Sequence, residues 1–329
     1  MPARVDTEYL AAALARYLGQ AVAIEGVRRL SGGASRETWS FDAVATDGTR
    51  HGLVLRRDPG PAIGLSDRSV EFALLEAAHA GGVATPRVWF LLDPDDGLGS
   101  GFVMERIEGE TIPRRILRDD TYAAARPKLA YQCGEQAARI HALDPAQLPA
   151  LPVQGAREQI ELYRNYLDGF GEAHPAFELG FRWLTEKAPS DPARPALVHG
   201  DFRNGNLVVG PDGIRAVLDW ELAHLGDPVE DLGWLCVKSW RFGVTDRRVG
   251  GFGVVDDLLA AYSSAGGRDV DPVELRYWEA LGTLKWGVMC EIQAFTHLEG
   301  AVRSVELATL GRRVAEMEWD LLELIDGGE

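Results

Sequence analysis

Cysteine is scarce in this chain: three residues in 329, at positions 133, 236 and 290, with no C-x-x-C pair among them. That scarcity argues against a disulfide framework or a cysteine-based zinc site. Each thiol is expected on an apolar helix face as a small hydrophobe, in a protein of the reducing cytoplasm. Long apolar runs are missing too. No uninterrupted stretch approaches the roughly 20 residues that a bilayer-spanning helix needs, so no membrane partner is expected. The opening MPARVDTEYLAAALARYL is broken by Asp6, Glu8 and Arg16. It lacks the continuous apolar centre of a secretory signal and reads as an amphipathic surface helix. Positive charge is in short supply, with 34 Lys and Arg against 50 Asp and Glu and a net charge of −16. Such an acidic balance argues against nucleic acid or an anionic membrane as partner. It is compatible with a cationic substrate, and solubility alone accounts for it equally well. Internal repeats and low-complexity segments are also lacking.

What is present is a globular composition, 46% hydrophobic and 26% charged, with length for one large or two ordinary domains. Residues 8–18 read as a helix. Three β-prone stretches follow, 22–30, 37–45 and 51–57, the last two joined near Asp47-Gly48, a hairpin signal. The spacing of Phe72, Leu75 and Ala78 predicts a helix over 69–80. Strands are expected over 87–92 and 101–106, around a DPDDGLGSG turn. After Gly109 the pattern turns helical. Residues 123–143 place Leu129, Cys133, Ala137 and Ile140 on one stripe, and further helices are expected over 159–166, 176–187, 256–265, 272–299 and 301–325. The class is therefore α+β, with a five-strand lobe over residues 1–107 and a mostly helical lobe over 108–329.

The most informative run is HGDFRNGNLVVGPDGIRAVLDWE, from His199 to Glu221. Asp201 and Asn206 stand five apart, and Asp219 follows Asn206 by thirteen. The apolar stretch 207–209, a PDG turn and the stretch 214–218 suit a hairpin between two loops. That would bring two carboxylates and one amide to the same end. Phosphoryl transfer uses such a set: a carboxylate to orient a hydroxyl, and oxygen ligands for Mg²⁺ on the nucleotide phosphates. Each residue alone has a plainer reading as a turn former, helix cap or strand-end carboxylate. The joint spacing favours the chemistry.

The segment resembles the catalytic core of the aminoglycoside phosphotransferase and choline kinase-like family. His199-Gly200-Asp201 stands where protein kinases carry His-Arg-Asp, and Asp219-Trp220-Glu221 where they carry Asp-Phe-Gly. The resemblance covers nearly the whole chain and is sharpest over 197–235. It implies a bilobal protein-kinase-like fold, with a small antiparallel-sheet lobe that binds nucleotide and a large, mostly helical lobe for catalysis and substrate. It implies Asp201 as catalytic base, Asn206 and Asp219 as Mg²⁺ ligands, and Arg203 as a charge stabiliser near the transferring phosphate. Asp231 would accept hydrogen bonds from the loop backbone, and His199 would orient the loop. Asp227 reads as a turn residue, and Glu221 as solvated or salt-bridged rather than metal-bound.

In the small lobe, Gly32, Gly33, Ala34 and Ser35 suit a nucleotide loop whose backbone N–H groups meet phosphate, or an ordinary hairpin turn. Arg56 ends the third strand. Kinase-like enzymes place a lysine there for the α- and β-phosphates, paired with a helix glutamate, which here would be Glu71. An arginine at that position resembles the bacterial subgroup similar to the kinase-like domain attached to some acyl-CoA dehydrogenases. Strand alternation turns Arg57 to the opposite face. Phe102 to Ile107 matches the hinge strand, so the backbone at Glu105 and Ile107 is expected at the adenine edge. Met104 would line the adenine pocket or fill a core gap. Trp240, Trp286, Met289 and Glu291 could line the substrate pocket or simply belong to the core. Arg241, Arg247 and Arg248 could meet an anionic carrier such as coenzyme A, or form a solvated face.

The expected activity is ATP- and Mg²⁺-dependent transfer of a γ-phosphate to a small-molecule hydroxyl. Metabolic hydroxyls, including hydroxyacyl thioesters, are favoured over aminoglycosides. A catalytically silent nucleotide-binding regulator is the alternative, and Arg56 in place of lysine is its support. A protein kinase is disfavoured by the short span from Asp219 to Asp231 and the missing glycine triad. The sequence implies no particular oligomeric state.

Overall fold

The structure is a computed structural model and describes residues 5–30, 37–58 and 67–327. The expected nucleotide loop, Gly32 to Ser35, lies outside the described residues. The chain divides into two compact units. One comprises the chain up to Glu108 together with Leu148–Ala150 and Arg215–Glu221; the other comprises Gly109–Gln147, Leu151–Ile214 and the chain from Leu222 onward.

The first unit opens with α1 (Thr7–Leu18), which starts where the Asp6 carboxylate accepts the N–H groups of Glu8 and Tyr9. A five-stranded antiparallel sheet follows, built from β1 (Val22–Arg29), β2 (Glu37–Ala45), β3 (Arg50–Asp58), β4 (Val88–Leu91) and β5 (Ser100–Glu105) in the order β1-β2-β3-β5-β4. Its alternation sets the later chemistry. Trp39 pairs with Leu55 and Phe41 with Leu53, and these four join Val103, Leu10 and Leu14 in one buried core. Val54 and Arg56 therefore face the other way, with Phe102 directly opposite Arg56. Helix α2 (Arg68–Ala80) covers that face, where Phe72 meets Phe102 edge-on at 5.9 Å. Glu71 is thereby carried to the same face as Arg56.

The second unit is mostly helical: α3 (Pro113–Arg118), α4 (Arg126–His141), α5 (Ala156–Phe170), α6 (Pro175–Lys187), α7 (Val229–Cys236), α8 (Val255–Ser264), α9 (Pro272–Leu298), α10 (Val305–Gly311) and α11 (Val314–Asp326). Four short strands accompany them. β6 (Ala196–Val198) pairs antiparallel with β9 (His224–Gly226), and β7 (Leu207–Gly210) forms a two-stranded hairpin with β8 (Gly213–Val217), whose residues from Arg215 on belong to the first unit. Helix α9 is buried on most sides between Leu275 and Glu291, as expected of a central helix. Helix α7 approaches it so closely that a Cβ at Gly233 would lie 2.6 Å from Trp278 Cβ and 2.7 Å from the Trp278 carbonyl carbon.

Several boundaries differ from expectation for identifiable reasons. Helix α4 begins at Arg126 with Pro127 in its first turn, where the missing N–H is no loss, and a 3₁₀ turn at Asp120–Tyr122 precedes it. The helix expected over 301–325 is two helices broken after Gly311, which comes so close to α9 that a Cβ there would sit 2.6 Å from Ala294 Cβ. The three cysteines are free, buried and carried on α4, α7 and α9. Among the described residues no helix is long and apolar enough to cross a membrane.

Candidate active site

Strand β6 delivers the chain into the loop His199–Asn206, and β7 takes it away. The loop turns at Gly200, where φ is 80° and a Cβ would lie 2.3 Å from the Leu222 carbonyl oxygen, so only glycine fits. Asp231, in the first turn of α7, accepts the backbone N–H groups of His199 at 2.8 Å and Gly200 at 3.0 Å. His141 Nε2 lies 3.0 Å from the same carboxylate, and its Nδ1 faces the Tyr262 hydroxyl at 2.9 Å. Burial pushes the Asp231 pKa up, but the His141 hydrogen bond and the charges of His141 and His199 outweigh it and hold the acid below its ordinary value. The His199 ring in turn accepts the Asp201 N–H on Nδ1 at 3.2 Å. The loop is thus fastened at consecutive peptides.

Three N–H donors converge on the Asp201 carboxylate. Arg203 Nε and Trp234 Nε1 each donate to Oδ1 at 2.8 Å, and Asn206 Nδ2 donates to Oδ2 at 2.6 Å. Asn206 Nδ2 also donates to the Asp201 carbonyl oxygen at 3.0 Å. A flipped amide would set oxygen against two oxygens, so the amide orientation follows from chemistry. It leaves Asn206 Oδ1 as the acceptor not engaged by Asp201. The Arg203 guanidinium lies over the Trp240 ring at 4.5 Å, a cation–π contact.

Sequence reasoning missed the support beneath this loop. Lys285, buried on α9, donates to the Gly200 carbonyl and to Glu230 at 3.3 Å each, with its ammonium 4.8 Å from the Trp234 ring centroid. Burial disfavours the ammonium, but the opposing charges of Tyr163, Glu230 and Asp201 leave its pKa raised. The signal was there: Lys285 is the lone charge in the apolar stretch Ala280–Cys290. The role of Trp234 as a donor to Asp201 was missed as well.

In the first unit, Arg56 Nη2 lies 3.1 Å from Glu71 Oε1 and 3.0 Å from Asp219 Oδ1. Burial works against the Arg56 charge, yet the carboxylates of Glu71, Asp219 and Glu221 raise its pKa. Behind Glu71 stands Arg68, which also grips Asp58 through Nε and Nη2 at 3.0 Å each. Neither Arg68 nor Asp58 was singled out from sequence. Arg57 points to the other side and pairs with buried Glu37 at 2.9 Å. Asp219 sits at φ 70°, a left-handed backbone uncommon outside glycine and asparagine-like residues.

The remaining expected residues fall as follows. Met104 is buried on β5 opposite Val54, on the face that carries Arg56. Glu105 is exposed, with its N–H on the Arg87 carbonyl, and Arg106 N–H goes to the Gly52 carbonyl. Ile107 is half-buried, and among the described residues its N–H has no hydrogen-bond partner. Trp240, Trp286 and Met289 pack in one cluster with Trp234, Val237 and Phe242. Glu291 stands apart from that cluster, beside Glu172 and His174. Arg241 and Arg248 are both engaged by buried Glu279, and exposed Arg247 lies 3.7 Å from Asp246, so each of the three cations expected at a carrier has an internal partner.

Over residues 26–276 the chain matches the phosphotransferase enzyme family. Acyl-CoA dehydrogenase family member 11 of Gallus gallus is 26% identical over 344 residues, covering 95% of this chain and 42% of that protein. The chain spans less than half the length of the curated relatives it matches. Among solved structures, a Ralstonia eutropha protein provisionally named an aminoglycoside phosphotransferase superposes with a TM-score of 0.78 at 22% identity, covering 99% of this chain and all of that one. A thermostable mutant of an aminoglycoside phosphotransferase solved with AMP-PNP and hygromycin B gives a TM-score of 0.63 at 17% identity, over 97% of this chain and 98% of that one. These likenesses establish the protein-kinase-like α+β fold of the aminoglycoside phosphotransferases.

Proposed function

The chain belongs to the phosphotransferase enzyme family, and from that premise we propose that it is a small-molecule kinase that moves the γ-phosphate of ATP onto a hydroxyl group. The observation that carries the proposal is the setting of Asp201, a carboxylate locked by Arg203, Trp234 and Asn206 in a loop whose backbone is fastened to Asp231. An acid held in one rotamer by three donors is preorganised to receive a proton from a hydroxyl placed against it. The acceptor oxygen then bonds to the γ-phosphorus, the bond to the bridging oxygen breaks, ADP departs, and the proton ends on Asp201. Arg203 fixes the base and brings positive charge to the loop. Lys285 holds the Gly200 peptide from beneath.

Arg56 is assigned to the α- and β-phosphates, with Glu71 and Arg68 fixing its orientation. Gly32, Gly33, Ala34 and Ser35 are assigned to the phosphates as well. Met104 and the backbone at Glu105 and Ile107 are assigned to the base. The Ile107 N–H, which has no partner among the described residues, suits that role. Asn206 through Oδ1, and Asp219 through its carboxylate, are assigned to Mg²⁺; oxygen donors of this kind fit a hard cation. When bound, Mg²⁺ neutralises phosphate charge. The likeness to an acyl-CoA dehydrogenase family member over 95% of the chain supports an acyl-linked hydroxyl, such as a hydroxyacyl thioester, over an aminoglycoside. Free buried thiols suit a reducing cytoplasmic setting.

The test is ATP consumption with Mg²⁺ across hydroxyacyl thioesters, other metabolic alcohols and aminoglycosides, with Asp201→Asn as control. Stimulation by the hydroxyacyl class that vanishes in the control is expected. Tight nucleotide binding without turnover on any class would favour the silent regulator instead.

A further inference from the structure

Outside the phosphoryl-transfer residues, one group of side chains has a composition that folding alone does not explain. Glu172, His174 and Glu291 bring one ligand atom each to within 4.8 Å of one another. Glu172 follows Gly171, the left-handed cap of α5, and His174 is the residue before α6. Glu291 comes from α9, and one turn further along that helix Phe295 stacks on Phe170 at 4.3 Å. The connection between α5 and α6 is therefore clasped onto α9 at this point.

Two observations point to a ligand. Glu291 is 7% exposed as a residue, it shares the cluster with Glu172 and His174, and among the described residues no hydrogen bond or ion pair engages its carboxylate. Glu172, Glu291 and Glu318 set three acids around one imidazole, and a cation among them would relieve their mutual repulsion. The second observation concerns the imidazole. His174 Nδ1 lies 3.1 Å from Glu318 Oε1, while its Nε2 is buried with no hydrogen-bond partner. A ring nitrogen oriented by a carboxylate, with the opposite nitrogen left available, is the arrangement of metal-binding histidines.

We infer that Glu172, His174 and Glu291 form a second cation site, distinct in its residues from the Mg²⁺ ligands. One imidazole and two carboxylates suit a borderline divalent transition metal such as Zn²⁺. Glu318 is the positioning residue behind His174. A tetrahedral ion with bonds of about 2.1 Å needs its ligand atoms about 3.4 Å apart. The exposed Glu172 side chain can supply that closure by changing rotamer. With three protein ligands, one position stays open to water or to a ligand. The site ties the α5–α6 connection to α9.

The full chain, stripped with a chelator, is titrated with ZnCl₂ by calorimetry and by thermal melting, and its zinc-edge X-ray absorption is recorded. One equivalent should bind and raise the melting temperature, with nitrogen and oxygen neighbours at about 2.0–2.2 Å and no sulfur at about 2.3 Å. Glu172→Gln, on the surface and unable to unfold the protein, should weaken binding by at least tenfold. Glu291→Gln should abolish it, and Glu318→Gln should weaken it by roughly 10–100-fold. Absence of saturable binding, a Zn–S neighbour, or wild-type affinity in Glu172→Gln and Glu291→Gln would overturn the assignment. None of these readouts depends on phosphotransferase activity, so the two proposals stand or fall separately.

Discussion

Replacing Asp201 by Asn exchanges a carboxylate oxygen for a group that donates rather than accepts. The oxygens of Asp201 receive Arg203 Nε and Trp234 Nε1 at 2.8 Å on one side and Asn206 Nδ2 at 2.6 Å on the other. Whichever way the new amide turns, its nitrogen faces a donor. The milder orientation keeps oxygen toward Arg203 and Trp234 and loses the Asn206 bond. Hydrogen bonds to a charged group are worth about 1.5–3 kcal/mol and neutral ones about 1 kcal/mol. One bond is lost and two are weakened, while relief of the buried charge offsets part of the loss, for a net destabilisation of about 2–3 kcal/mol. Urea unfolding followed by tryptophan fluorescence reads this as a lowered midpoint at constant slope. Turnover should fall by about 10²–10⁴-fold, the usual contribution of a general base, with ATP affinity by calorimetry unchanged. Wild-type stability would refute the three-donor setting of Asp201. Wild-type turnover would refute its role as base.

Arg56→Met removes the guanidinium between Glu71 and Asp219, but Glu71 keeps Arg68 and Asp219 is 35% exposed, so the loss should be about 1.5–3 kcal/mol, that of a hydrogen bond to a charged group; Arg56→Lys, which keeps charge but not the fork, should cost less. ATP affinity should fall in the order Arg, Lys, Met, and equal affinity in all three would remove Arg56 from the nucleotide site. Gly233→Ala drives a methyl against the Trp278 backbone and should destabilise by about 3 kcal/mol, with a parallel loss of turnover because α7 carries Asp231 and Trp234; urea midpoints and initial rates measure both. His224 lies 3.0 Å from Glu230. Burial lowers its pKa, but the Glu230 charge and hydrogen bond raise it above the ordinary 6.5 overall. A raised folded-state pKa makes the pair's contribution complete below pH 6.5 and progressively lost as pH climbs through the folded value. The stability gap between wild type and His224→Gln should therefore narrow from pH 6 to pH 9; a gap that widened would reverse the sign.

What the sequence disclosed follows from how far apart partners lie along the chain. Asp201, Arg203 and Asn206 share a single loop, so their spacing already placed them together. Arg56 and Glu71 were legible through the family resemblance, which pairs a strand cation with a helix glutamate, while strand alternation set Arg57 on the other face. Trp234, Lys285 and His141 were not, since their contacts reach across 33, 85 and 90 positions. At helical spacing they look like ordinary core residues. Strands β6 and β9 have three residues each, too few for a period of two to show. The break at Gly311 depends on the closeness of Ala294, which no local pattern carries. Glu291 was singled out, but as a pocket liner or core residue; its neighbours Glu172 and His174 come from a turn with no periodicity to mark them.

Asp219 holds a backbone angle of 70°, and that angle limits what could replace it during evolution. Glycine would accept the angle without offering an oxygen. Asparagine would accept it while giving up the charge opposite Arg56. Glutamate would keep the charge, but it visits left-handed backbone far less readily than aspartate and its longer arm would carry the oxygens elsewhere. Two demands of different origin, one conformational and one electrostatic, intersect on a single amino acid. In a library of all substitutions at this position, folded variants should be dominated by Gly and Asn, and the active fraction should contain Asp alone.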